Sequence, residues 1–184
     1  IPAEEIIAHF AEKDVVFQSM GTASFPYPPE TTPQHLPIGM PHVMFVFGGQ
    51  IARVEVDPEL GTVEVTHLSA IHDVGQVINR SGVEGQIEGG VAMGLGYSLY
   101  EDMTLKSNGQ WVNSFTEYLL PTAKDMPESL EIYILEIPEK SGPYGAKGLA
   151  EICLVPTGPA IANAVYNATG KRVTHLPIKA EDLL

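Results

Sequence analysis

The chain has 184 residues, 44% of them apolar and 18% charged. That is the make-up of a soluble globular protein with enough length for one or two domains and a real core, not of a disordered chain. A formal charge of −13 repels phosphate backbones and anionic lipid, which argues against nucleic acid and the membrane surface as partners.

Ile1–Glu5 carries neither an initiator Met nor the basic and apolar regions of a secretion signal. The expectation is a chain that begins inside a longer gene product, with the cytoplasm as its default location. No apolar run reaches the roughly eighteen residues that a bilayer span needs. Pro2 to Lys13 reads as a short helix: proline suits the first turn, Glu4 and Glu5 favour its positive end, and Ile6, Ile7 and Phe10 form a stripe. A strand is predicted around Val15 to Ser24. Phe25 to Pro41 is punctuated by Pro26, Pro28, Pro29, Pro33, Pro37 and Pro41, and reads as an extended connector or surface loop. Residues 1–41 are therefore set apart from a main domain at 42–184.

Val43 to Val56 and Val63 to His67 alternate as strands around the turn residues Asp57-Pro58-Glu59-Leu60-Gly61, which predicts a hairpin. Gly48-Gly49 marks a bulge or a place where another group approaches the backbone. Asp73 to Arg80 reads as a loop, and Ser81 with Glu84 as a capping box that opens a helix. A strand is expected at Leu130 to Ile137, a glycine-rich loop at Ser141 to Gly148, and a second helix from Pro159 to Ala168, ended by Gly170. The expected class is α+β: mixed sheets packed with helices in two layers.

The helix after Ser81 is unusual. Val83, Ile87, Val91, Leu95 and Leu99 give it an apolar period, yet it contains Gly82, Gly85, Gly89, Gly90, Gly94 and Gly96. Each costs a helix interior about 0.5–1 kcal/mol relative to alanine. Gly82, Gly85, Gly89, Ala92 and Gly96 share one predicted face, suited either to tight helix–sheet packing or to a flat ligand beside the amide of Gln86. Neither nucleotide fingerprint fits: Leu99 stands where the dinucleotide pattern needs glycine, and Gly142–Gly148 lacks the Gly-Lys-Ser/Thr of a phosphate loop.

The second anomaly is the loop Ser141–Ala150, which leads into Glu151 at the predicted start of a helical turn. Such a glutamate either caps the turn or, beside a reactive centre, accepts a proton. His9, His35, His42, His67, His72 and His175 show no metal-ligand spacing and read as ordinary core or surface residues. Cys153 is the single cysteine, so the chain by itself holds no iron–sulfur cluster, structural zinc or internal disulfide.

Several uncommon words now agree in order. Phe45–Asp57, with its Asp-Pro-x-x-Gly turn, is followed by Asp73-Val74-Gly75 and then by Val83–Gly90 with Gly85-Gln86. Tyr118–Thr122 with Asp125-Met126-Pro127 comes next, and then Gly145–Glu151. Together they resemble the xanthine dehydrogenase/aldehyde oxidoreductase family of molybdenum hydroxylases, over roughly residues 40 to 170, as the C-terminal part of its molybdopterin-binding subunit. Arg80 departs from that family's usual proline and Ala150 from its usual glycine, and the family's catalytic subunit is several times longer.

The resemblance implies hydroxylation of an electron-poor carbon of a purine, N-heterocycle or aldehyde with water-derived oxygen. Glu151 would be the general base. Gln86, Gly85, Gly89, Lys147, Gly148 and Ala150 would contact the cofactor or shape its loop, with no protein ligand to the metal from this chain. It further implies a molybdenum–molybdopterin cofactor, in plain or dinucleotide form. The implied partners are the remainder of the molybdopterin subunit and iron–sulfur and FAD subunits or domains, besides a small-molecule substrate. Two competing readings are a non-catalytic assembly module that buttresses the cofactor domain of a split-subunit complex, and a small ligand-binding α/β domain unrelated to molybdenum.

Overall fold

The computed structural model describes Pro2, Glu4, Glu5, Ala8 and residues 44–184. Contacts group the chain into two units, Ile1–Pro41 and His42–Leu184. In the first, Glu4, Glu5 and Ala8 are helical, within the helix expected over Pro2–Lys13. The rest of that helix, the strand expected at Val15–Ser24 and the connector Phe25–Pro41 lie outside the described residues.

The second unit is built on the expected hairpin. β1 (Gly48–Val56) pairs antiparallel with β2 (Val63–Asp73). The turn between them is closed by Asp57, whose side chain accepts from the Glu59 and Leu60 amides at 2.8 and 2.9 Å. The register shifts between Arg53 and Val54, so the irregularity is not at Gly48-Gly49. Gly48 does fit the second half of that expectation, because a side chain there would run into the ring nitrogen Nδ1 of His72.

β3 (Ser129–Leu135) lies along the other side of β2 and runs parallel to it, giving the order β1-β2-β3. A parallel neighbour needs a crossover connection, normally helical. Here it contains α1 (Arg80–Leu99). The N-cap of α1 is Asn79, not Ser81: its backbone is extended and its side chain accepts from the Gly82 amide at 3.1 Å. Ser81 is already helical, so it cannot form the expected capping box, and Glu84 instead pairs with Arg80 at 2.9 Å. α2 (Thr157–Thr169) begins two residues before the expected Pro159 and ends on Gly170, which adopts φ 73°.

The core lies between the sheet and the helices. Ile87, Val91 and Leu95 of α1 are fully buried, spaced as their apolar period predicts. One cluster joins Leu95 to Val65, Ile161 and Val165; another joins Ile87 and Val91 to Leu68, Ala70 and Cys153. Each such side chain contributes about 1.5–3 kcal/mol by leaving water. The opposite face of the sheet leaves Ile51 and Tyr133 exposed. This is an α+β arrangement, a mixed sheet packed with helices. Among the described residues no helix is long and apolar enough to cross a membrane.

Candidate functional site

β2 ends on Asp73, and the chain leaves it through Val74 and Gly75. Gly75 has φ 64°, and a side chain there would meet the Gly145 carbonyl and the Lys147 amide. Only glycine combines that conformation with so close an approach. The approach lets the loop Ser141–Gly148 zip onto the segment that precedes α1. The Gln76 amide donates to the Gly145 carbonyl at 2.8 Å, the Lys147 amide donates to the Val74 carbonyl at 3.0 Å, and Gly75 and Ala146 form an antiparallel bridge.

An ion pair lies beneath this seam. Lys147 Nζ donates to Asp73 Oδ2 at 2.5 Å, with only 6% and 2% of the two side chains exposed. The Gly75 amide supplies a second bond to the same carboxylate at 3.1 Å. Burial pushes the Asp73 carboxyl up, but the Lys147 bond, the Gly75 amide and the Lys147 charge outweigh it and hold the group below its ordinary value.

Beyond Lys147 the chain passes the exposed Gly148 and Ala150 and enters a single 3-10 turn, Glu151–Cys153. Glu151 stands at the head of this turn, as expected, and is exposed. Cys153 is buried against α1, and burial pushes its thiol up to about 11. The contact is backbone-close: a side chain on Gly90 would strike the Cys153 Cβ and come within 2.8 Å of its carbonyl carbon. Gly94 is likewise covered by Thr157.

On the face expected from Gly82, Gly85, Gly89, Ala92 and Gly96, the first three glycines differ from the last in exposure, and Gly90 and Gly94 lie off that face. Gly90, Gly94 and Gly96 are buried in packing, the last against Glu101 and Pro121. Gly82, Gly85 and Gly89 are exposed, and side chains at Gly85 and Gly89 would meet nothing within 4 Å. Close packing, one of the two uses expected of these glycines, accounts for Gly90, Gly94 and Gly96, and Gly85 and Gly89 leave the backbone open.

The start of α1 and the 146–150 segment meet around a cavity of about 400 Å³. Gln86, Lys147 and Ala150 line it, and Gln86 Nε2 reaches the Ala150 carbonyl at 3.4 Å. Of the other expected site residues, Gly85, Gly89 and Gly148 are exposed outside its lining, and Glu151 stands one residue past its last lining residue. Gly82, from the predicted glycine face, also lines it, and so do Asn79 and Val83, which were not expected to. Asp73 stands out in the sequence only as part of a motif, and its pairing with Lys147 across 74 positions leaves no local signal. The walls suit a flat, polar-edged ligand. Gln86 presents an amide that donates and accepts, and Val74, Val83 and Leu149 supply apolar surface, while outside the lining Gly85, Gly89 and Gly148 leave backbone bare.

A family model described as "Molybdopterin cofactor-binding domain" matches residues 2–127. The chain is 35% identical over 161 residues to a probable xanthine dehydrogenase subunit of Bacillus subtilis, covering 88% of this chain and 21% of that protein. Among solved structures, the aldehyde oxidoreductase of Desulfovibrio gigas superposes with a TM-score of 0.69 at 34% identity, over 76% of this chain and 15% of that one. Quinoline 2-oxidoreductase from Pseudomonas putida 86 gives a TM-score of 0.66 at 34% identity, over 71% and 17%. The chain thus spans about a fifth of the curated relative it matches. On these matches it belongs to the xanthine dehydrogenase/aldehyde oxidoreductase family of molybdenum hydroxylases, as a part of the molybdopterin-binding subunit.

Proposed function

We propose that this chain forms one wall of the molybdopterin site in an enzyme that hydroxylates an electron-poor carbon with oxygen derived from water, and that Glu151 is the general base. The observation that carries the reading is the meeting of Gln86 and Ala150 at one cavity, which brings the glycine-rich helix and the glutamate loop together. The residues present fit the cofactor. Beside the cavity, a bare backbone at Gly85 and Gly89 admits a flat ring system, and in its lining the Gln86 amide offers a donor and an acceptor to the polar edge. When bound, the molybdenum centre supplies two-electron redox chemistry and lowers the cost of deprotonating the attacking oxygen.

The chain's own residues do the rest. Glu151 takes the proton from the attacking oxygen, a task for which a carboxylate must stand within hydrogen-bond reach. Gln86 orients the cofactor edge, and Lys147, Gly148 and Ala150 shape the loop on which Glu151 stands. Val74, Val83 and Leu149 keep water from that side of the site. Substrates in this reading are purines, N-heterocycles or aldehydes. The metal takes no ligand from this chain, and the pterin carries it in plain or dinucleotide form. The remainder of the molybdopterin subunit completes the site, and iron–sulfur and FAD subunits or domains carry electrons away, in the cytoplasm. In this reading the chain divides into an N-terminal segment, 1–41, and a molybdopterin-binding segment, 42–184.

Glu151→Gln in the assembled enzyme keeps the shape of the side chain and removes the proton acceptor. Molybdenum content should be unchanged, and turnover should fall by about 10²–10⁴-fold. Full turnover in this variant would assign the base elsewhere and favour a buttressing role for the chain.

A further inference from the structure

The turn that carries Glu151 is held from two sides. Downstream, Gln50 of β1 donates from Nε2 to the Cys153 carbonyl at 2.7 Å and accepts from Thr157 Oγ1 at 2.7 Å. Upstream, Gly148 and Ala150 are exposed, and the Gln86 bond to the Ala150 carbonyl is long at 3.4 Å. The firm upstream anchor is Lys147, four residues before Glu151. Among the described residues it is the one charged side chain in the cavity lining, and its ammonium is drawn inward onto Asp73.

An ammonium is strongly hydrated, and taking it out of water carries a penalty that its partner must offset. A buried ion pair is for that reason weak ground for stability, since apolar residues in its place are often no worse. What the pair provides is a fixed distance: it ties the loop to the last residue of β2, beside the Gly75–Ala146 bridge.

We infer that Asp73 is a positioning residue for the reaction: by holding the Lys147 ammonium at the end of β2, it sets where the Gly148–Ala150 run begins and so where Glu151 stands. This role rests on the reading of Glu151 as the base. Asp73 touches neither substrate nor cofactor in it and acts through Lys147.

The test uses the complete assembled enzyme. Asp73→Asn removes one charge, and Asp73→Asn with Lys147→Met removes both, leaving no uncompensated buried charge to prevent folding. In both, molybdenum content should be retained and KM should stay within about threefold. The fall in kcat should be about ten- to a hundredfold, the cost of a base displaced by an ångström or so. Asp73→Glu should recover part of the loss. A double variant with unimpaired kcat overturns the inference. So does a loss that appears in KM or in cofactor content, which would make the pair part of substrate or cofactor binding. Glu151→Gln measured alongside separates the two ideas. If it is inactive while the double variant turns over normally, only the positioning role falls; if it is fully active, the base assignment falls and this role with it.

Discussion

His72 shows how much a single residue's meaning depends on its neighbours in space. It is fully buried, and neither ring nitrogen has a hydrogen-bond partner among the described residues. Burial disfavours the imidazolium and lowers its pKa from the ordinary 6.5. The folded value therefore lies below the unfolded one, and between the two the unfolded chain binds more protons. Stability should be greatest above about pH 6.5 and fall as pH drops toward the folded value, with a slope of up to about 1.4 kcal/mol per pH unit. His72→Leu should flatten that slope, read from denaturant midpoints of the full chain between pH 5 and 7.5. An unchanged slope would assign it to other groups. In the sequence, His72 is one of six histidines without ligand spacing. Its burial comes from a register that sets it opposite Gly48, and Asp73 acquires its partner in the same non-local way. Glu151 was easier to single out, because a glycine-rich loop that runs into a carboxylate is visible in the chain itself.

The elements were legible wherever their signals are local. Turn residues and alternation give the hairpin, and the apolar period of α1 gives its buried stripe. The cap moved back to Asn79 because an extended asparagine with a suitably placed side chain competes with Ser81 for the same role. The parallel pairing of β3 depends on a crossover that no local pattern encodes. The partition of the α1 glycines was also hidden, since small residues carry no mark of which side meets a neighbour. That partition predicts opposite outcomes for two like substitutions. Gly94→Ala drives a methyl into Thr157 and should destabilise the chain by about 1–3 kcal/mol. Gly85→Ala meets nothing within 4 Å and should stabilise the helix by about 0.5–1 kcal/mol, while lowering the molybdenum content of the assembled enzyme. Denaturant midpoints and metal analysis read both effects. A Gly85→Ala enzyme with full cofactor content would remove that face of α1 from the proposed site.

At the scale of the whole molecule, the described residues leave large apolar side chains exposed. Phe47, Trp111 and Phe115 are more than half exposed, as are Ile51 and Ile137 on and beside the sheet. In the proposed assembly the remainder of the subunit covers such side chains and supplies the far wall of the cavity beside Gln86 and Ala150. Composition and charge set broad bounds on what the molecule does, and the order of its uncommon motifs named the family. The cavity leaves no mark in the sequence, because its lining comes from two segments about seventy residues apart in the chain. The central claim is that this chain helps to hold a molybdenum cofactor. Elemental analysis of the native complex, purified with its partners, tests it most directly. One molybdenum atom per copy of this chain is expected; an intact, catalytically active complex without molybdenum would rule the cofactor role out.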